Sequence, residues 1–329
     1  MGQPASEVVA AEGLEAVGTP GVTVVGRTPW QIFWGRFRKD TIAIAGAMFI
    51  LALIIVALSA PLLTKLLVHH GPNEQFQDTM LNEFSIPRGP NSAFWFGADQ
   101  AGRDMFVRTV YGARTSLVVA FFATGISVVV GVILGTIAGF FRGWIDTGIS
   151  RTIDVVMSLP ILLFAIGIAA ACSITAQGCV FGLVQPGLVL VVLIISLVNW
   201  TYIARIVRGQ VFSLREREFI EAARSMGAGN LRIMFRELLP NLAAPIIVYS
   251  TLIVPNNILF EAALSFLGVG IPQTTPSWGR MLSDASSSQI FTVAWWMMFF
   301  PGVFLLLTTL AFNLVGDGLR DALDPKTAR

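Results

Sequence analysis

Charge is what this chain has least of. Only 13% of its 329 residues are Asp, Glu, Lys or Arg, about half the roughly 25% usual in a soluble globular domain. With 54% apolar residues and a mean hydropathy of +0.72, the deficit excludes an ordinary water-soluble helical fold, whose helices keep a polar face. Histidine and cysteine are nearly missing, with two of each. His69 and His70 are adjacent and lack Cys or carboxylate partners at ligand spacing, so no metal site is expected and both are read as a solvated helix end. The same poverty leaves nothing from which to assemble a membrane-embedded enzyme centre. No Gly-x4-Gly-Lys-Ser/Thr phosphate loop occurs, so the chain is expected to bind no ATP or Mg of its own. The net charge of +2 gives no ground for expecting nucleic acid.

Long apolar runs are what the chain does have. Six cover residues 42–62, 116–141, 155–171, 187–203, 243–266 and 292–315, and together they hold a single Asp, Glu, Lys or Arg, namely Glu261. At 1.5 Å per residue, about 20 residues cover the roughly 30 Å hydrocarbon core. The expectation is an all-α polytopic membrane protein with six transmembrane helices. The first run begins too late and runs too long for a cleaved signal peptide, so it stays as an anchor.

An even number of spans puts both termini on one side of the membrane. Sixteen of the 22 Lys and Arg residues fall on that side, which places the termini in the cytoplasm. Four regions follow. Residues 1–40 form a cytoplasmic tail ending in an interfacial helix, where Trp30, Phe33, Trp34 and Phe37 alternate with Arg36, Arg38 and Lys39. Residues 41–115 hold the first span and a long extracytoplasmic loop. In that loop Asp99 is a candidate helix cap, and Arg103, Arg108 and Arg114 are expected to reach headgroups or water. Residues 116–315 form a five-span core, interrupted by a cytoplasmic loop at 204–241, and residues 316–329 are a cytoplasmic tail. Gly131, Gly135 and Gly139 lie four apart, a stripe on which helix backbones approach closely in lipid. Pro160, Pro255 and Pro301 lie inside spans and invite kinks.

The 204–241 loop is the charged exception among apolar neighbours. Residues 214–226 have the period of a short amphipathic helix, with Phe219, Ala222, Ala223 and Met226 at i, i+3, i+4 and i+7. Two alanines in the middle of that face would admit another protein's surface close to the backbone. Gly227 and Gly229 allow a turn. A second helix over 231–239 is expected to be closed by Pro240, with Asn241 as candidate cap of the next span. Periodicity alone fits a solvated charged loop as well as a docking knob.

Glu221-Ala222-Ala223, Gly227 and Leu239-Pro240 resemble in type and spacing the coupling motif of ATP-binding-cassette importer permeases. One position departs: two residues before Leu-Pro, where the motif has Ile, this chain has Glu237. Three further stretches resemble the dipeptide and oligopeptide importer family, particularly its C-type permease. Phe96-Gly-Ala-Asp with Tyr111-Gly-Ala-Arg-Thr-Ser-Leu resembles the segment before its second span. Leu264-Ser-Phe-Leu-Gly-Val-Gly with Pro276-Ser-Trp-Gly-Arg-Met-Leu resembles its outer segment after span five, and Phe312-Asn-Leu-Val-Gly-Asp-Gly its C-terminal region.

The resemblance implies a type I importer permease architecture in a bacterial inner membrane. It also implies a second homologous permease subunit, two ATPase subunits that bind ATP and Mg, and an extracytoplasmic solute-binding protein. Phe219, Glu221, Ala222, Ala223, Met226, Gly227, Leu239 and Pro240 would then couple ATP hydrolysis to alternating access. The implied cargo is dipeptides or oligopeptides, with nickel chelates, glutathione or another small solute as the alternative.

Glu261, Asn256 and Asn257 are candidates for the translocation path, or equally for structural hydrogen bonds inside the bundle. An ATP-independent carrier or channel is the competing class, and Glu261 is its only support. Cys172 and Cys179 flank the second outer loop, where an oxidising exterior would permit a bridge. Their separation is not legible in the sequence.

Overall fold

The computed structural model describes residues 29–174, 184–185, 187–287 and 290–323. Helix α1 (Pro29–Phe37) leads through Asp40 into α2 (Thr41–Leu67), and a short turn, α3 (Gln77–Met80), lies in the connection to α4 (Met105–Phe140). Then come α5 (Trp144–Ser158), α6 (Ile161–Ile174), α7 (Leu188–Leu214), α8 (Glu218–Ser225) and α9 (Asn230–Arg232). A π-helical turn (Ile233–Leu238) leads into α10 (Leu239–Phe266), followed by α11 (Trp278–Ser287), a 3-10 turn (Ile290–Thr292) and α12 (Trp296–Leu323). The fold is all-α; among the described residues two isolated β bridges pair Leu81 with Pro87 and Ala98 with Asp104. Among the described residues five continuous stretches are long and apolar enough to cross a membrane: α2, α4, α7, 230–266 and α12. The pair α5 and α6 makes a sixth if counted as one span, and it bends by 88°.

Three expectations are corrected by this architecture. The expected span at 155–171 is broken, because Leu159, held extended before Pro160 (φ −79°, ψ 138°), ends α5 and α6 starts afresh. The second span is longer than 116–141. It begins at Met105, because Asp104 rather than Asp99 caps it, accepting from the Phe106 and Val107 amides. The helix expected to end at Pro240 instead runs on into α10. The Leu239 amide reaches back to the Met234 carbonyl in a π turn, and the Asn241 side chain donates to the Glu237 carbonyl at 2.6 Å rather than capping a new helix.

The bundle is knit by close backbone approach. A Cβ on Gly131 would lie 2.6 Å from Ile203 Cβ, on Gly135 2.6 Å from the Ala204 carbonyl oxygen, and on Gly139 2.7 Å from Val211 Cβ. The glycine stripe therefore presses α4 along α7. On the other side, α2, α4, α10 and α12 share a core that includes Ile50, Leu117, Ile258 and Phe312. Outward, α2 presents Ile42, Met48, Leu51, Ile55, Leu58 and Leu62, as a lipid-facing helix does.

One end of the bundle is capped by residues 68–104 together with α11. Here Arg103 and Arg108 are buried rather than directed at water or headgroups. Asp99 lies 2.7 Å from Arg103 Nε and 3.4 Å from Arg108 Nε, and both guanidinium groups donate to the Gln273 carbonyl. Asp284, whose pKa burial pushes up against the pull of neighbouring arginines, pairs with Arg280 at 3.0 Å. His70, expected to be solvated, instead meets the Asp104 carboxylate at 2.9 Å and stacks on Phe94. Only His69 stays exposed. Arg114 is exposed as expected.

Candidate docking surface

The opposite end of the bundle carries α8. This helix has no side-chain N-cap, but Glu218 and Glu221 sit in its first turn and Arg224 in its last, each favourable to the helix dipole. It ends in a Schellman arrangement. The Ala228 amide bonds the Ala223 carbonyl and the Gly227 amide bonds that of Arg224, while Gly227 takes φ +80°.

What seats α8 differs from the sequence expectation. Ile220 and Ala223 are the buried residues, packed with Phe140, Ile203, Val211, Ile233 and Leu238. In the sequence the adjacent alanines mask Ile220 as the inward-facing residue. Its i, i+3 spacing to Ala223 is the signal of a shared face. With those two facing inward, Phe219 (38% exposed), Ala222 and Met226 (82%) face outward.

The continuing helix adds Leu231 (70% exposed) and Phe235 (66%). Glu221 and Pro240 are exposed, and Leu239 is half-buried. The structure thus brings the motif residues into one knob whose outer surface is apolar in the middle and ringed by Arg217, Glu218, Glu221, Arg224, Arg232 and Arg236, all exposed. An apolar centre with a polar rim is the usual build of a protein interface.

Arg215 was not singled out from the sequence. It lies at the end of α7, with 2% of its side chain exposed. Its Nη1 donates to the Gly139 carbonyl at 2.6 Å and, more weakly, to that of Phe140 at 3.5 Å, and its guanidinium lies 3.9 Å over the Phe212 ring.

The three path candidates divide. Asn257 is fully buried, taking a hydrogen bond from Asn199 at 2.5 Å and giving one to Thr124 at 2.8 Å, so it joins α10 to α7 and α4. Glu261 is also fully buried and accepts from Ser116 at 2.9 Å and Ser265 at 2.8 Å. Asn256 is exposed on α10 and donates to the Leu252 carbonyl. Cys172 is buried on α6, and Cys179 lies outside the described residues. The tails 1–28 and 324–329 lie outside them as well.

Comparison with known proteins is consistent over nearly the whole chain. A family profile described as binding-protein-dependent transport system inner membrane component matches residues 131–329. A second, described as the N-terminal TM domain of oligopeptide transport permease C, matches residues 28–84. The chain is 43% identical over 299 residues to the dipeptide transport system permease protein DppC of Alkalihalophilus pseudofirmus, covering 91% of this chain and 90% of that protein. It is 39% identical over 304 residues to the di/tripeptide transport system permease protein DppC of Pseudomonas aeruginosa, covering 92% and 94%. With the glutathione transport system permease protein GsiD of Pectobacterium atrosepticum it shares 38% over 300 residues, covering 91% and 92%. In fold it is similar to a chain of the MetNI methionine ABC transporter solved in inward-facing conformations, with TM-score 0.52 at 18% identity, covering 67% of this chain and 98% of that one.

Proposed function

Because the chain belongs to the family of binding-protein-dependent transport system inner membrane components, we propose that it is the permease subunit of an ABC importer carrying short peptides inward. It is a transport subunit and not an enzyme. Hydrolysis of ATP, with its Mg, belongs to two ATPase subunits that dock from the cytoplasm. A second, similar permease completes the pathway, and an extracytoplasmic binding protein delivers the cargo.

The observation that carries this reading is the knob at the α8 end. Phe219, Ala222, Met226, Leu231 and Phe235 are exposed on a segment whose inward face is locked by Ile220, Ala223 and Leu238. A rigid, apolar, charge-rimmed projection suits a groove on a partner whose closure must be transmitted as movement. The excess of Lys and Arg on the α8 side and on the sides of both termini supports their cytoplasmic location. Alternating access then follows from moving this knob together with the helices packed on it. Dipeptides and tripeptides are the cargo class common to the relatives named for peptides, and glutathione, itself a small peptide, falls within it.

The test is uptake by proteoliposomes holding both permeases, the ATPases and the loaded binding protein. Labelled dipeptide, tripeptide, glutathione or nickel chelate is supplied outside and ATP within. Peptide accumulation that needs both ATP and the ATPase subunits is expected. Transport by the permeases alone would refute the importer reading, and accumulation of nickel chelate only would refute the peptide assignment.

A further inference from the structure

We propose that Arg215 is the positioning residue that ties the movement of α8 to α4, so that the docking knob and α4 shift together. The inference rests on the transport reading above. Among the described residues it is built from three contacts that converge on one helix end. The last carbonyls of a helix have no partner within it. Of those at the end of α4, Gly139 and Phe140 are taken by the Arg215 guanidinium, from three residues before α8 begins. Next along, Glu216 pairs with Arg142, two residues beyond α4, and from α8 itself the Arg224 guanidinium lies 6.0 Å from the Phe140 ring. The end of α4 is therefore held by Arg215, Glu216 and Arg224 in succession.

Of the three contacts, Arg215 alone is shut off from solvent, with its side chain 2% exposed against 69% for Arg142 and 58% for Glu216. Exposed pairs contribute little and are screened by salt, so the buried guanidinium is the stiff member. Its stack on Phe212, its Nη1 shared between the Gly139 and Phe140 carbonyls and its Nε on the Glu216 carboxylate at 3.2 Å fix both position and plane, which an ammonium in its place would not do. Because it grips backbone rather than a side chain, sliding α8 pulls on the α4 helix itself. The α4 helix then runs past the glycine stripe to Asp104, Arg108 and Trp278 at the far end of the bundle, where the Trp278 indole donates to the Thr109 carbonyl.

The experiment compares Arg215→Gln with wild type in the assembled complex, reading peptide taken up per ATP hydrolysed. A fall of about tenfold in that ratio is expected, in the range that coupling residues outside a ligand site can reach. Arg215→Lys, which keeps the charge but loses the planar guanidinium, is expected to lie between the two. A residue that merely stabilised the fold would lower uptake and hydrolysis together and leave the ratio alone, and that result overturns the proposal. If Arg215→Gln does not assemble, Arg215→Lys and Phe212→Ala each remove part of the grip, and wild-type ratios in both overturn it. Wild-type uptake without any need for ATP overturns the transport reading and this inference together. It is seen in the wild-type arm alone, and so is distinct from failure of the grip.

Discussion

The Asp104 carboxylate accepts from the Phe106 amide at 2.7 Å, which starts α4, and meets His70 Nε2 at 2.9 Å. Burial pushes its pKa above the ordinary 3.8, against the opposing hydrogen bonds from His70 and the two amides. A raised carboxylate pKa means that the protonated form is the one folding favours, so this contribution is complete below 3.8 and is lost as pH rises through the folded-state value. Asn keeps a good cap without titrating. The unfolding temperature of wild type relative to Asp104→Asn is therefore expected to decline as pH is raised from about 4 to 7, measured on the solubilised protein. At Gly227 the constraint is backbone alone: φ is +80° and nothing lies within 4 Å of an added Cβ. Gly227→Val should then cost about 1–2 kcal/mol by forcing an L side chain into the left-handed region. ATP-driven uptake should drop several-fold, with Gly227→Asn close to wild type.

At the scale of elements, α4 and α7 are matched by the absence of side chains. A larger group at Gly135 would have to push the Ala204 backbone, which has no rotamer to change. Gly135→Leu is expected to destabilise by about 1–3 kcal/mol or more, read as loss of monodisperse, heat-stable protein. Gly125→Ala, with open space around it, should leave stability intact. This stripe was legible in the sequence, as were the apolar runs, because lipid demands long uninterrupted hydrophobicity that no polar context can imitate. Prolines were legible only as disturbances. Pro160 breaks a helix and Pro240 does not, since the outcome at Pro240 depends on a π turn and on Asn241, neither of which has a local signature. The buried arginines were illegible for a related reason. Arg103 and Arg108 find their carbonyl partner at Gln273, 170 and 165 residues away, and no window of sequence joins them.

Across the whole molecule, polar machinery is confined to the two ends and the middle is apolar packing threaded by a few hydrogen bonds, such as Asn199–Asn257–Thr124 and Glu261 with its serines. That division explains why the docking knob could be located from motif and charge while its seating on Ile220 and its attachment through Arg215 could not. Introducing charge into the centre of the knob should strike the partner and spare the fold. Met226→Asp with Phe235→Asp is expected to weaken retention of the ATPase subunits by at least about 2 kcal/mol, roughly thirtyfold, measured by co-purification at a series of subunit concentrations. The permease itself should still insert and remain heat-stable, because both residues are largely exposed.

The Arg108–Gln273 contact also has a meaning in time. During synthesis the arginine at the head of α4 emerges 165 residues before the carbonyl that receives it. At about 5–20 residues per second that is a wait of roughly 8 to 33 s. Throughout it, the second span must rest in the bilayer with its terminal guanidinium unsheltered by α11. The cap over that end thus cannot close until residue 273 has been made, and a nascent chain halted before it would expose an unfinished charged end to the quality-control proteases of the membrane.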